Sequence, residues 1–122
     1  MTSPTIHQYP SAMAHLTWSQ TEKAIARKVF ESALRQELEA VIRETKEMAA
    51  KIKQVSDVWE LEQYLTQRRK EIDREYDYRY SVLPEVFGHL IRKGRVRQED
   101  LQGLREDKLY YIQTYAKLGE QQ

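Results

Sequence analysis

Apolar residues return every three or four positions from Ile25 to Ile52, through Val29, Ala33 or Leu34, Leu38, Val41 and Met48. Thr45 is the one polar break in that seam. The period is that of an α-helix with a single buried stripe. Neither glycine nor proline occurs from Ser11 to Leu83, so no backbone breaker interrupts the pattern. Ser19 and Glu22 have the spacing of a reciprocal cap, which sets the start near Gln20. A helix of about 33 residues is about 50 Å long, more than an ordinary globular helix, and predicts an arm.

Val55-Ser56-Asp57 is the predicted break, with Ser56 or Asp57 capping a second helix that runs on to Ser81. The two faces of this helix differ. At about 100° per residue, Val58, Leu61, Leu65, Ile72 and Tyr76 gather within roughly 60°. Trp59 lies roughly 130° from the centre of that group. It shares a stripe with Glu62, Gln63, Thr66, Lys70 and Asp73, with Arg69 at the edge nearer the seam. Arg68, Glu75 and Arg79 fall on or near the seam, which is therefore only half apolar. Glu75 to Tyr80 alternates with period two, but it lies inside a longer helical pattern without turn residues, so the helix is expected to continue. A short link between two long helices predicts an antiparallel hairpin.

Pro84 predicts a restart, followed by a short amphipathic helix through Val86, Phe87, Leu90 and Ile91. Gly94 is placed for a left-handed helix end, closed by Val96. Leu101, Leu104, Leu109, Ile112, Tyr115 and Leu118 supply one or two further helices, jointed at Gly103 or Asp107. The expected fold is all-α, a long helical hairpin with a small helical head over residues 84–118. Residues 1–16, with Pro4, Pro10 and no period, are expected to be a mobile tail; 17–118 form one domain and 119–122 fray.

Composition changes this picture in one respect. Charged residues make up 32% of 122 and the mean hydropathy is −0.80, which leaves little apolar material for a core. An elongated hairpin of that kind is expected to complete its core as a homodimer, through Val58, Leu61 and Leu65.

Basic and acidic residues, 20 and 19, are interspersed, so no basic field for nucleic acid stands out. There is no cysteine, and His7, His15 and His89 are scattered, which supports neither a metal site nor a nucleophile with its base. The glycines form no phosphate loop. No apolar run of about 18 residues is present to span a membrane, and the N-terminus lacks a signal-peptide layout. A soluble cytoplasmic protein is expected.

Leu90 to Gly94 followed by Gln98-Glu99-Asp100-Leu101 has the layout of a helix-turn-helix DNA reader, but it would set two carboxylates against the phosphates. A dimeric helical adaptor is the other alternative.

Read together, Asp57-Val58-Trp59-Glu60-Leu61 and Arg69-Lys70-Glu71-Ile72-Asp73 resemble the fluorescence recovery protein family of cyanobacteria. The likeness continues through Tyr76-Asp77, Arg79, Ser81-Val82, Val86-Phe87, Lys93, Val96, Leu101, Leu104 and Asp107-Lys108. Trp18-Ser19-Gln20 and Glu37-Leu38 agree nearer the N-terminus, so roughly residues 17–118 are covered.

The resemblance implies an all-helical homodimer without a cofactor. It implies binding to the red, photoactivated orange carotenoid protein, mainly at that protein's C-terminal domain, and faster return to the orange form. Quenching of phycobilisome fluorescence then ends, with no covalent chemistry. The implied location is cytoplasmic, peripheral at the cytoplasmic side of the thylakoid membrane. The family patch carries a Trp, a His-Asp pair and an Arg. Trp59 and Arg69 match it, whereas Glu62 and Gln63 stand where the pair would be. The candidate partner-binding set is Trp59, Arg69, Glu62, Gln63, Asp73 and Phe87.

Overall fold

The computed structural model describes residues 15–118, arranged as four α-helices and one 3-10 turn. The tail expected over 1–16, apart from its last two residues, and the frayed end over 119–122 lie outside the described residues. Ser19 opens α1 (Gln20–Ala50). Its hydroxyl accepts the Glu22 N–H at 3.1 Å, and the Glu22 carboxylate accepts the Ser19 N–H at 3.0 Å. The cap forms as its spacing predicts, and the helix is 31 residues long.

The hairpin turn comes slightly earlier than expected. It occupies residues 51–54, and α2 (Val55–Glu75) already contains Ser56 and Asp57. Asp57 serves the helix start from within its first turn. Its carboxylate accepts the N–H groups of Lys53 at 2.9 Å and Gln54 at 3.2 Å, at the positive end of the helix dipole.

α2 ends at Glu75 and not at Ser81. From Tyr76 to Arg79 the chain is non-helical, and three tyrosines two residues apart pack along α1 and its approach. Phe30 meets Tyr76 edge-on at 5.6 Å and Tyr78 at 4.9 Å. Tyr80 packs on Tyr78 at 5.4 Å and on Trp18 at 5.3 Å. The Arg27 guanidinium stands 4.0 Å from the Tyr78 ring centre. A helix would turn successive members of this set roughly 200° apart, whereas an extended run brings alternate residues to one wall. The period-two signal was the correct one.

α3 (Leu83–Arg92) carries Pro84 in its first turn, where the missing N–H has no helical partner to lose. It ends at Gly94 with φ +80°. Arg95 N–H reaches the Leu90 carbonyl at 2.9 Å and Gly94 N–H the Ile91 carbonyl at 3.0 Å, the paired bonds of a left-handed helix end. Val96 is buried beside them.

Next comes Gln98–Leu101, a single four-residue 3-10 turn. The second helix of a helix-turn-helix reader is therefore missing, because Leu101 and Leu104 must both reach the core across a sharp bend at Gly103. Gly103 has φ +102°, and a Cβ there would fall 2.5 Å from Ile25 Cδ1. α4 (Glu106–Leu118) closes the chain.

The core belongs to the head. Ala26, Val29, Phe30 and Ala33 of α1 meet Leu83, Val86, Phe87 and Leu90 of α3, with Val96, Leu101, Leu104 and Ile112. α3 lies directly on α4, since a Cβ added at Gly88 would come within 2.5 Å of Tyr115 Cβ. The buried stripe of α1 is Glu22, Ala26, Val29, Phe30, Ala33, Glu37 and Ala40. It differs from the expected seam: Leu38 is 45% exposed and faces the arm instead. α2 buries no residue at all.

Two of the α1 stripe positions are glutamates. Glu22 is satisfied by the Ser19 N–H, the Arg105 N–H at 2.8 Å and the fully buried Lys108 ammonium at 3.1 Å. Lys108 also reaches the Thr17 carbonyl. Burial pushes the Glu22 carboxyl up, but the donors from Ser19, Arg105 and Lys108 outweigh it and hold its pKa at about 2, against an ordinary 4.5. Since the folded value lies below the unfolded one, the stability from this group is complete above about pH 4.5 and is lost as the pH falls through about 2. Thermal melts from pH 6 to about 2 should therefore show a shallower acid decline in Glu22→Gln than in the parent chain. Parallel declines would place the acid sensitivity elsewhere.

Candidate partner-binding face

Helical spacing on α2 places Val58, Leu61, Leu65 and Ile72 along one wall of a groove of about 650 Å³, with Leu38 and Val41 of α1 opposite. The four apolar α2 positions are the seam read from the sequence. Tyr76, the fifth, caps the helix just beyond Glu75 and turns its hydroxyl toward α1. Val58, at 40%, and Leu65, at 38%, remain exposed, so nothing among the described residues covers the groove.

Glu62, Arg69 and Asp73 line this same groove, together with Thr66 and Arg68. The structure therefore joins part of the polar stripe to the apolar seam, where the angular count had held them apart. Trp59 and Gln63 are exposed but do not line the groove. At 57% exposure, Trp59 is a large ring left largely in water on the hairpin arm. Arg69 follows ten residues later on the unbroken helix, about 15 Å along its axis. Phe87 does not belong with them: it is fully buried in the head, packed by α3 into the main core.

Beneath the groove lies a cluster that the periodicity did not reveal. Glu37 is 1% exposed and stands where α1 passes from head to arm. Arg68 Nη2 of α2 donates to it at 2.5 Å, Tyr76 Oη at 2.9 Å, Lys93 Nζ at 3.0 Å and Arg95 Nε at 3.1 Å. Burial raises the Glu37 pKa, but these donors, Arg68 foremost, carry it well below the carboxylate range. Burial together with the Glu37 charge pushes the Tyr76 hydroxyl far up, so it stays a donor.

Lys93 also pairs with Glu75 at 2.8 Å, and Arg68 with Glu71 at 2.9 Å. Further along the arm, the Tyr64 hydroxyl donates to Glu44 and ties α2 to α1. Arg68 and Glu75 thus interrupt the apolar seam because they belong to this network. A glutamate at a helical core position, among Ala26, Ala33 and Ala40, was the signal available in the sequence.

Among the described residues no group of His, Cys, Asp or Glu could hold a metal ion, and no helix is long and apolar enough to cross a membrane. The fold is an all-α hairpin and head that carries an exposed, partly apolar face on its arm. The chain belongs to the photoprotection regulator fluorescence recovery protein family, whose model matches residues 18–116. A fluorescence recovery protein from Synechocystis sp. is 37% identical over 105 residues, 86% of this chain and 96% of the relative. The solved fluorescence recovery protein of Fremyella diplosiphon has a TM-score of 0.80 at 38% identity. That of Synechocystis sp. PCC 6803 has a TM-score of 0.80 at 37% identity. In each case 83% of this chain and 99% of the other are covered.

Removing the central carboxylate leaves three cations around an emptied site. Glu37→Ala should cost about 3–5 kcal/mol, the size found when one partner of a buried ion pair is deleted. Chemical denaturation measures it, and a loss below about 1 kcal/mol would mean that water takes over the carboxylate's role.

Proposed function

We propose that the chain acts as a homodimer that binds the red, photoactivated orange carotenoid protein at its C-terminal domain and speeds its return to the orange form. Quenching of phycobilisome fluorescence ends as a result. No bond is made or broken; the acceleration comes from binding the strained intermediate more tightly than the red state. The protein works in the cytoplasm, peripheral at the thylakoid surface, and its interspersed charge gives nucleic acid no foothold.

The observation that carries this reading is the pair of Trp59 and Arg69. Both are exposed on one continuous helix in a member of a photoprotection regulator family. A large ring that packs by desolvation and a guanidinium that forms charge-assisted bonds can grip a partner at two separated points. Glu62 and Gln63 keep a carboxylate in the intervening segment, moved by one position, so recognition persists with altered strength.

Dimerisation uses the groove. Its apolar wall of Val58, Leu61 and Leu65 is unfilled among the described residues, so a second copy turned about a twofold axis can lay the same wall against it.

Two measurements test these statements. Trp59→Ala and Arg69→Leu should remain folded and dimeric while dark reversion of the photoactivated carotenoid protein slows at least about tenfold. Gln63→Ala should do far less. Unfolding of Trp59→Ala, or full activity of Arg69→Leu, would remove this face as the working site. Separately, Val58→Glu places a charge in the groove and should shift sedimentation toward monomer. An unchanged dimer would put the interface elsewhere.

A further inference from the structure

Arg68 belongs to two structures at once. Its side chain lines the open groove, yet one guanidinium nitrogen is held by Glu37 and another by Glu71. From Glu37 the contacts continue to Lys93 and Arg95, which flank the left-handed turn that ends α3. The groove wall and the head are thus joined by an unbroken run of charge-assisted hydrogen bonds.

We propose that Arg68 couples occupancy of the groove to the seating of the head, so that a second copy filling the groove tightens the α3 end through Glu37. The coupling rests on the reading of the groove as the dimer interface. Exclusion of water from the groove lowers the dielectric around Arg68 and strengthens its bond to Glu37. A better-fixed Glu37 holds Lys93 and Arg95 more firmly. The backbone bonds of that turn, from Arg95 and Val96 N–H to the Leu90 carbonyl, then open less often.

Hydrogen exchange at the Arg95 and Val96 amides reads this directly, with the Val58→Glu chain as the monomer. In the parent dimer both amides should exchange about tenfold more slowly than in the monomer, the size of one charge-assisted hydrogen bond. Arg68→Met keeps an apolar wall but removes the link, so its dimer should exchange at the monomer's rate. If Arg68→Met does not fold, Arg68→Lys carries the test, because a single ammonium lacks the planar fork and should also lose the protection.

Equal exchange in parent dimer and monomer overturns the coupling alone, as does full protection in the Arg68→Met dimer. If both Arg68 variants are monomers, Arg68 is an interface residue and no more. If Val58→Glu stays dimeric, the groove reading fails first and takes the coupling with it.

Discussion

A charged carboxylate held out of water at Glu37 is the constraint on which the rest of the molecule depends. Desolvating a carboxylate costs several kcal/mol unless donors replace its hydration, roughly one for each lone pair. Here the donors come from residues 68, 76, 93 and 95, on three separate segments that follow α1. Satisfying one group therefore fixes the end of α2, the departure of the tyrosine run and the end of α3 against the middle of α1. That matters most for α2, which buries no residue of its own and has little apolar adhesion to hold it.

The division between head and arm follows from where the apolar side chains lie. The head has a closed hydrophobic core and close helix contact at Gly88, so it is stable as a packed object. The arm keeps half of its apolar residues facing outward, ringed by charges that stop them from collapsing on one another. A protein that works by recognition needs that arrangement. Its anchors must be available beforehand and held on a rigid element, so that little ordering is left to do on contact.

Much of this was legible along the chain, and the misses share a cause. Ser19 with Glu22, Pro84 and Gly94 mark helix ends through local backbone chemistry, and all three do so in the structure. The seam at Val58, Leu61, Leu65 and Ile72 was likewise readable, because residues on one helix keep their angular relation wherever the helix packs. The Tyr76 to Tyr80 run was misread because its alternation has meaning only beside Phe30 and Trp18, more than forty residues earlier. Glu37 was missed for the same reason: its four donors are scattered in sequence, and a glutamate on a helix normally faces solvent. Phe87 was named a partner contact, although its place on the apolar face of the short helix after Pro84 points to the core, where it lies.

The unbroken course of α1 gives the protein leverage. One helix forms a wall of the head and the backbone of the arm, with no hinge between Gln20 and Ala50. From Glu37 to the arm's tip is thirteen residues, about 20 Å of stiff rod. A tilt of about 5° where Glu37 is gripped would move the tip by about 2 Å, a shift on the scale of helix displacements at switching interfaces. The fulcrum lies at the ion cluster, the load at the hairpin end, and a small rotation of the head becomes a change in reach.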